Sequence, residues 1–374
     1  MHSNAVLIVS ASTGTGHARA AEALRGALAD RDPGLRVEHV DLLELAPRWV
    51  RAAYGSGFEL MVARAPWLWE RIYRRTDGDD RDRARWGPLA QRLLFREFSR
   101  LLLASPWRLC LCTHFLPCQL AAGRPGLPPF ALSVTDFTLH RCWVQPGVRR
   151  YFVATDALAA ELRPRVRGAR VDATGIPIAG SFAAAPPREE ARRALGLDAG
   201  RRTVLVMGGG LGLGVEEMAT ATLASGVRDL QVVAVCGRSA DARERLEALG
   251  LPPERLRVCG YVDGVERYLA AADVVVTKPG GLTSSEALAL GRPLLLTRPI
   301  PGQEVGNTRA LTAAGAALAA PDGRALRGAV EEAFGAPGLL AGLADAARRI
   351  GRPAAAADVA EAVRAEYLRE TEAA

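Results

Sequence analysis

Hydrophobic and polar positions alternate along the chain in two rhythms. Short apolar runs at Val6–Ser10, Arg36–Val40, Leu109–Thr113, Phe130–Val134 and Tyr151–Ala154 have the length of buried strands. Between them, apolar residues recur at helical spacing. One such stretch follows the first glycine loop and runs to about Ala29. Another is Ala157–Leu162, and residues 45–105 read as largely helical, with a charged insertion at Thr76–Arg85. After a small-residue stretch and the linker-like AAAPPREEARRALGL the pattern restarts. Thr203–Met207, Val232–Cys236, Arg257–Val258, Asp273–Thr277 and Pro293–Thr297 are predicted strands with helices between them. The last helix is expected over Ala354–Tyr367, after Pro353. Strands alternating with helices predict an α/β fold built on parallel sheets with crossover helices. Each half opens with a strand and a glycine loop. The expected division is a first domain over 1–179, a second over 180–353, and a C-terminal helix, 354–374, packing back on the first.

Length agrees with two domains, because 374 residues exceed what one ordinary core holds. Hydrophobic residues at 49% and charged residues at 24% fit a globular chain and exclude a disordered one. No apolar run reaches the roughly 18–20 residues that cross a bilayer. The start reads as a buried strand feeding a glycine loop rather than as a signal peptide, so a cytoplasmic location is expected. Six cysteines without a CxxC pair read as buried free thiols.

Charge changes the picture more. Residues 46–108 hold 13 Arg against 7 acidic residues, so most of the formal +7 sits there. All six tryptophans lie in the first 143 residues. Arginine interleaved with tryptophan suits an anionic membrane surface, and predicts a peripheral protein at the inner face of the cell membrane. The plain alternative is a helical segment with its tryptophans in the core. No nucleic-acid motif accompanies the charge, so no nucleic-acid partner is expected.

Five stretches carry candidate chemistry. In the first, Ser12-Thr13-Gly14-Thr15-Gly16-His17, glycines between a strand and a helix let backbone approach a ligand. His17, in the first helical turn, is a candidate general base that the helix dipole would keep neutral; its plain reading is a capping or packing histidine. The second is Thr135-Asp136-Phe137 with His140 and Trp143, joined by His114 at the end of the preceding strand. These residues are candidates for the acceptor side. Asp136 could orient His17, hold an acceptor hydroxyl, or merely cap a turn. Third is the run Gly208–Gly214, which includes Gly209, Gly210, Leu211 and Gly212, a nearly bare backbone able to wrap a diphosphate. Fourth is Lys278-Pro279-Gly280-Gly281-Leu282-Thr283, with a helix expected from Thr283 whose N-terminus favours phosphate. Glu286, one turn in, could reach ribose hydroxyls, although Thr283-x-x-Glu286 also has the spacing of a capping box. Fifth is Pro301-Gly302-Gln303-Glu304, with Gln303 and Glu304 suited to sugar hydroxyls. Asp77-Gly-Asp79-Asp80 has the spacing of a metal-binding DxD, but it sits in an arginine-rich run and reads as a solvated loop. No metal and no cofactor is expected.

Together these residues resemble the monogalactosyldiacylglycerol synthase family, which includes the processive diacylglycerol glucosyltransferases and shares the GT-B fold with the lipid II N-acetylglucosaminyltransferase. The resemblance rests on SASTGTGHARAA at Ser10–Ala21, VTDFTLHRCWV at Val134–Val144, TGIP at Thr174–Pro177, VCGR at Val235–Arg238, and above all KPGGLT…PGQE…N over Lys278–Asn307. It implies two Rossmann-like domains facing across a cleft, and an inverting, metal-independent transfer of a hexose from a UDP-sugar to diacylglycerol or a related lipid. It makes His17 the base, gives the diphosphate to Gly209–Gly212 and Lys278–Thr283, the ribose to Glu286 and the hexose to Gln303 with Glu304. Gly237, Arg238, Tyr261 and Val262 would flank the nucleotide. Ser239 stands where the family often has Asn.

Overall fold

The computed structural model describes residues 4–12, 14–55, 57, 61, 64–77 and 93–368. The charged run beyond Asp77, together with Trp86 and Thr13, lies outside the described residues. The chain divides into two units. One comprises residues 1–180, 301–303 and 354–374, and the other residues 181–300 and 304–353.

The first unit holds six parallel strands in the order β2-β1-β3-β4-β5-β6. They are β1 (Ala5–Ser10), β2 (Arg36–Asp41), β3 (Leu109–Cys112), β4 (Phe130–Ser133), β5 (Val148–Phe152) and β6 (Arg170–Asp172). Its helices are α1 (Thr15–Arg31), α2 (Arg48–Tyr54), α3 (Pro66–Asp77), α4 (Arg96–Ala104), α5 (Phe115–Ala121) and α6 (Asp156–Leu162). Strands β1, β3 and β4 are buried along their whole length. That is why they read as continuous apolar runs rather than as alternation.

The second unit repeats the plan with six parallel strands in the order β12-β11-β10-β7-β8-β9. These are β7 (Arg202–Met207), β8 (Leu230–Val235), β9 (Leu256–Cys259), β10 (Val274–Thr277), β11 (Leu294–Leu296) and β12 (Ala317–Ala319). Helix α7 (Arg188–Ala194) precedes them, and α8 (Val215–Leu223), α9 (Ala240–Glu247), α10 (Val265–Ala271), α11 (Gly281–Ala289), α12 (Gln303–Ala313), α13 (Gly323–Gly335) and α14 (Leu339–Ile350) lie between and after them. Its core gathers Val204, Val206, Val232, Ala234, Val274, Val276 and Leu295 from the strands, and Met218, Leu246, Leu326 and Val330 from the helices.

The last helix, α15 (Ala355–Val363), belongs to the first unit, where Val359, Ala360 and Val363 share a core with Val6, Ile8, Leu24 and Leu28. In each sheet the order reverses once, between β1 and β3 and between β7 and β10. The loops leaving the carboxyl ends of strands flanking such a reversal form the usual ligand crevice of an open parallel sheet.

Tryptophan burial splits the two readings of the Arg/Trp segment. Trp107 and Trp143 are core residues, whereas Trp49 and Trp67 are about two-thirds exposed, at 64% and 65%. The six cysteines are free thiols, four of them buried. Among the described residues no helix is long and apolar enough to cross a membrane.

Candidate active site

In the first unit the reversal point is where β1 hands over to α1 and β3 to α5. His17, the third residue of α1, meets the end of β3 there. Its Nδ1 lies 2.7 Å from the Thr113 carbonyl and 3.1 Å from Thr135 Oγ1. Thr113 Oγ1 in turn donates to the His17 carbonyl at 2.9 Å. A carbonyl oxygen only accepts, so the proton of the neutral ring sits on Nδ1 and Nε2 carries the lone pair. Burial lowers the His17 pKa below 6.5, against the Thr113 carbonyl and the Asp41 carboxylate, which raise it. Desolvation therefore keeps the ring neutral.

His114 is buried with its ring centroid 4.7 Å from that of His17, edge to face. Its Nδ1 accepts from the Leu116 N–H at 3.1 Å and so caps α5. Burial, then repulsion from His17, holds its pKa well below 6.5. Trp143 stands 6.3 Å from both imidazoles and 5.7 Å from Phe115, which completes an aromatic wall. His140 uses both of its nitrogens within the fold. Nδ1 accepts from the Cys142 N–H at 3.1 Å, and Nε2 faces the Tyr73 carbonyl at 3.2 Å. Asp136 follows Thr135 and is half-buried; the Nδ1 of His17 is held by Thr113 and Thr135.

As site residues, Asp41 and Thr113 are not marked by the sequence, and Thr135 is marked only as part of the acceptor-side stretch. Asp41 ends β2 in register with Ser10, accepts from the Ser12 and Leu43 N–H groups at 3.2 and 2.9 Å, and also bonds the Ser12 hydroxyl. It ties down the loop that leads into His17. A cavity of about 380 Å³ opens beside it, lined by Ser12, Asp41, Glu44, Arg48 and Arg51 among others.

In the second unit the loops after β7, β8, β10 and β11 form the corresponding edge. Gly208–Gly214 folds on itself, with Gly212 N–H bonded to the Gly209 carbonyl at 3.0 Å and Arg238 N–H to that of Gly210 at 3.0 Å. Two glycines are fixed by close approach. A Cβ at Gly212 would overlap the Cys236 carbonyl, and one at Gly237 would come within 2.6 Å of the Gly210 oxygen. Gly209, at φ +70°, has open space in front of it, so the exposed edge of this turn offers backbone to a ligand. Ser239 accepts from the Ala242 N–H and caps α9, which an Asn there would do equally well. Arg238 lies 5.8 Å over the ring of Tyr261, itself 63% exposed and next to Val262.

The helix after β10 begins at Gly281, two residues before the expected start, with Gly280 as its N-cap and no side-chain cap. Thr283 is thus already helical, and Thr283-x-x-Glu286 is not a capping box. The first-turn N–H groups at Gly281, Leu282 and Thr283 are those a helix leaves for an anion. Glu286 is 1% exposed in the next turn. Glu304 accepts from the Ile300 N–H at 2.7 Å and lies 3.8 Å from Lys278, while Asn307 donates to the Pro279 carbonyl at 3.0 Å. Glu304 and Asn307 thereby hold the Lys278–Gly281 loop. The buried Oε1 of Gln303 has no hydrogen-bond partner among the described residues. Nor do they gather three or more His, Cys, Asp or Glu side chains in a metal-binding group.

Residues 17–178 match the model of the family described as monogalactosyldiacylglycerol (MGDG) synthase, and residues 203–333 that of the glycosyltransferase family 28 C-terminal domain. A processive diacylglycerol beta-glucosyltransferase of Bacillus pumilus (strain SAFR-032) is 36% identical over 196 residues, which cover 51% of this chain and 50% of the relative. The chain thus spans about half the length of the curated relatives it matches. Among solved structures, Acinetobacter baumannii MurG has a TM-score of 0.59 at 16% identity, covering 96% of this chain and 99% of the other. A UDP-N-acetylglucosamine 2-epimerase has 0.58 at 14%, covering 99% and 98%. These likenesses show the GT-B fold alone.

Proposed function

We propose that this chain, which matches the MGDG synthase model over residues 17–178 and the glycosyltransferase family 28 C-terminal model over residues 203–333, transfers a hexose from a UDP-sugar to the hydroxyl of diacylglycerol or a related lipid. The observation that carries the reading is the tautomer of His17. With Nδ1–H given to Thr113, the Nε2 lone pair is free to take the acceptor proton. As the proton leaves, the acceptor oxygen bonds the anomeric carbon, the bond to the UDP oxygen breaks, and the configuration inverts. The departing charge falls to the first-turn N–H groups of α11, to Lys278 and to the backbone of Gly209–Gly212. No metal is required for that step. Glu286 takes the ribose, Gln303 a hexose hydroxyl through its buried Oε1, and Arg238 with Tyr261 and Val262 flanks the uracil. Glu304 acts by holding Lys278 and the loop. His114 and Trp143 wall the acceptor, His140 supports that wall from behind, and Asp136 lies on the acceptor side.

The exposed face of α3 meets the lipid surface. Trp67, Arg71 and Arg75 follow one another at helical spacing beside Leu68 and Ile72, all exposed. Such a face suits an anionic membrane from the cytoplasmic side.

An epimerase or hydrolase on the same fold is the competing reading, and would need further acid/base groups around the sugar. UDP release separates them. Purified protein is given UDP-glucose, UDP-galactose or UDP-N-acetylglucosamine, with and without dispersed diacylglycerol, in EDTA. Lipid-stimulated release with a glycolipid product is expected, and His17→Ala should lose at least about 10²-fold in rate while still binding UDP. Sugar turnover without lipid, or full activity in His17→Ala, would refute the proposal.

A further inference from the structure

Two arginines bind one carboxylate, and two more lie beside them, on the edge of the second sheet where the strands begin, opposite the edge that carries the loops after β7 and β10. Asp273, immediately before β10, accepts from Arg188 at 2.8 Å, from Arg192 at 2.7 Å and from the Thr203 N–H at 2.8 Å. Arg292, two residues before β11, donates Nη1 to the Ala272 carbonyl at 3.0 Å, and its buried Nε has no partner among the described residues. Arg348 of α14 lies across Gly291. A Cβ at that glycine would come within 2.6 Å of Arg348 Cγ and 3.3 Å of its Nη1. Arg348 pairs with Asp345.

Four guanidiniums therefore share two carboxylates, and the group keeps two positive charges in excess. The Arg292 pKa is pushed down to about 10. Burial is the main cause and repulsion from Arg188 the next; Asp273 pulls the other way, and Arg192 and Arg348 add to the repulsion. A half-buried guanidinium with an unsatisfied N–H, among others of its kind, is stabilised by an oxyanion, which planar forks bind in pairs of charge-assisted hydrogen bonds.

We propose that Arg188, Arg292 and Arg348 form a second anion site, distinct from the donor loops, that takes a phosphate group. Free phosphate and the phosphate of a lipid headgroup share the required chemistry. The test uses the full chain in phosphate-free buffer, titrated calorimetrically with inorganic phosphate. A Lys278→Ala background removes the cation of the donor loops from the measurement. Saturable binding should survive in that background, and Arg188→Ala or Arg292→Gln should weaken it by at least about tenfold. Arg188 is half-exposed, so its loss spares the fold. Arg292→Gln carries a second signature: phosphate should raise the thermal midpoint of the parent and no longer raise that of the variant. Vesicles of phosphatidate in phosphatidylcholine, compared with phosphatidylcholine alone, separate the sources. An Arg188-dependent gain on phosphatidate assigns a lipid headgroup, and saturation by free phosphate without that gain assigns a soluble anion. No saturable binding, unchanged affinity in both arginine variants, or binding abolished by Lys278→Ala alone would overturn the proposal.

Discussion

At the scale of single residues, His17 combines two demands: a lone pair on Nε2 and refusal of a proton near neutrality. The Thr113 carbonyl meets the first and burial the second. A base that must be neutral fails as pH falls through its pKa, so the acid limb of kcat/KM should lie below pH 6.5, with activity level above it. Stability should follow the same sign. Unfolded, His17 and His114 bind protons from about pH 6.5 downward, whereas the folded chain resists. The unfolded state then holds more protons, and stability should fall as pH drops below about 6.5. A pH–rate profile and denaturant titrations at several pH values check both; an acid limb above 6.5 would remove His17 as the base. The histidine itself could be read from its place after a glycine loop. Its partners Thr113 and Thr135 lie 96 and 118 positions away along the chain, a distance over which local pattern carries no information until the sheet order is known. Asp41 directly follows the predicted strand Arg36–Val40, yet its bonds to Ser12 depend on β1 and β2 being in register.

Elements were legible in proportion to their burial and length. The central strands betray themselves as apolar runs because both faces are covered. The edge strands β6 and β12 have three residues each, too few for either period, and went unpredicted. The start of α11 slipped by two residues because Gly280 caps it without a side chain, leaving the conspicuous Thr283 inside the helix. For α3 the sequence offered both a core and a surface reading of its tryptophans, and only packing separates Trp67 from the buried Trp107. Its exposed face supports a test at this scale. Flotation with anionic vesicles should recover the protein at low salt and lose it as salt rises. Replacing Arg71 and Arg75 by Gln should lower partitioning roughly thirtyfold, at about 1 kcal/mol for each charge. Salt-independent binding, or none to anionic vesicles at low salt, would remove α3 from the membrane surface.

For the whole molecule, the consequence of the topology is that the first unit is finished by the last residues of the chain. After β6 the backbone builds the second unit and then supplies α15 to the core laid down by β1 and α1. Val359, Ala360 and Val363 are fully buried there, and Glu366 pairs with Arg150 of β5 at 2.7 Å. Burying those side chains with Leu368 contributes roughly 4–6 kcal/mol as an upper estimate. That is comparable with the entire stability of an ordinary domain, about 5–15 kcal/mol. A chain ending at Pro353 should therefore fail in one unit only. The second unit has its own core, assembled wholly from residues 204–330 and their neighbours, and should keep its thermal transition. The first should lose its transition and become the site of early tryptic cleavage at its many arginines, with His17 released from the burial that sets its pKa. Matching proteolysis patterns and two intact transitions in the shortened chain would mean that α15 covers the first unit without completing it.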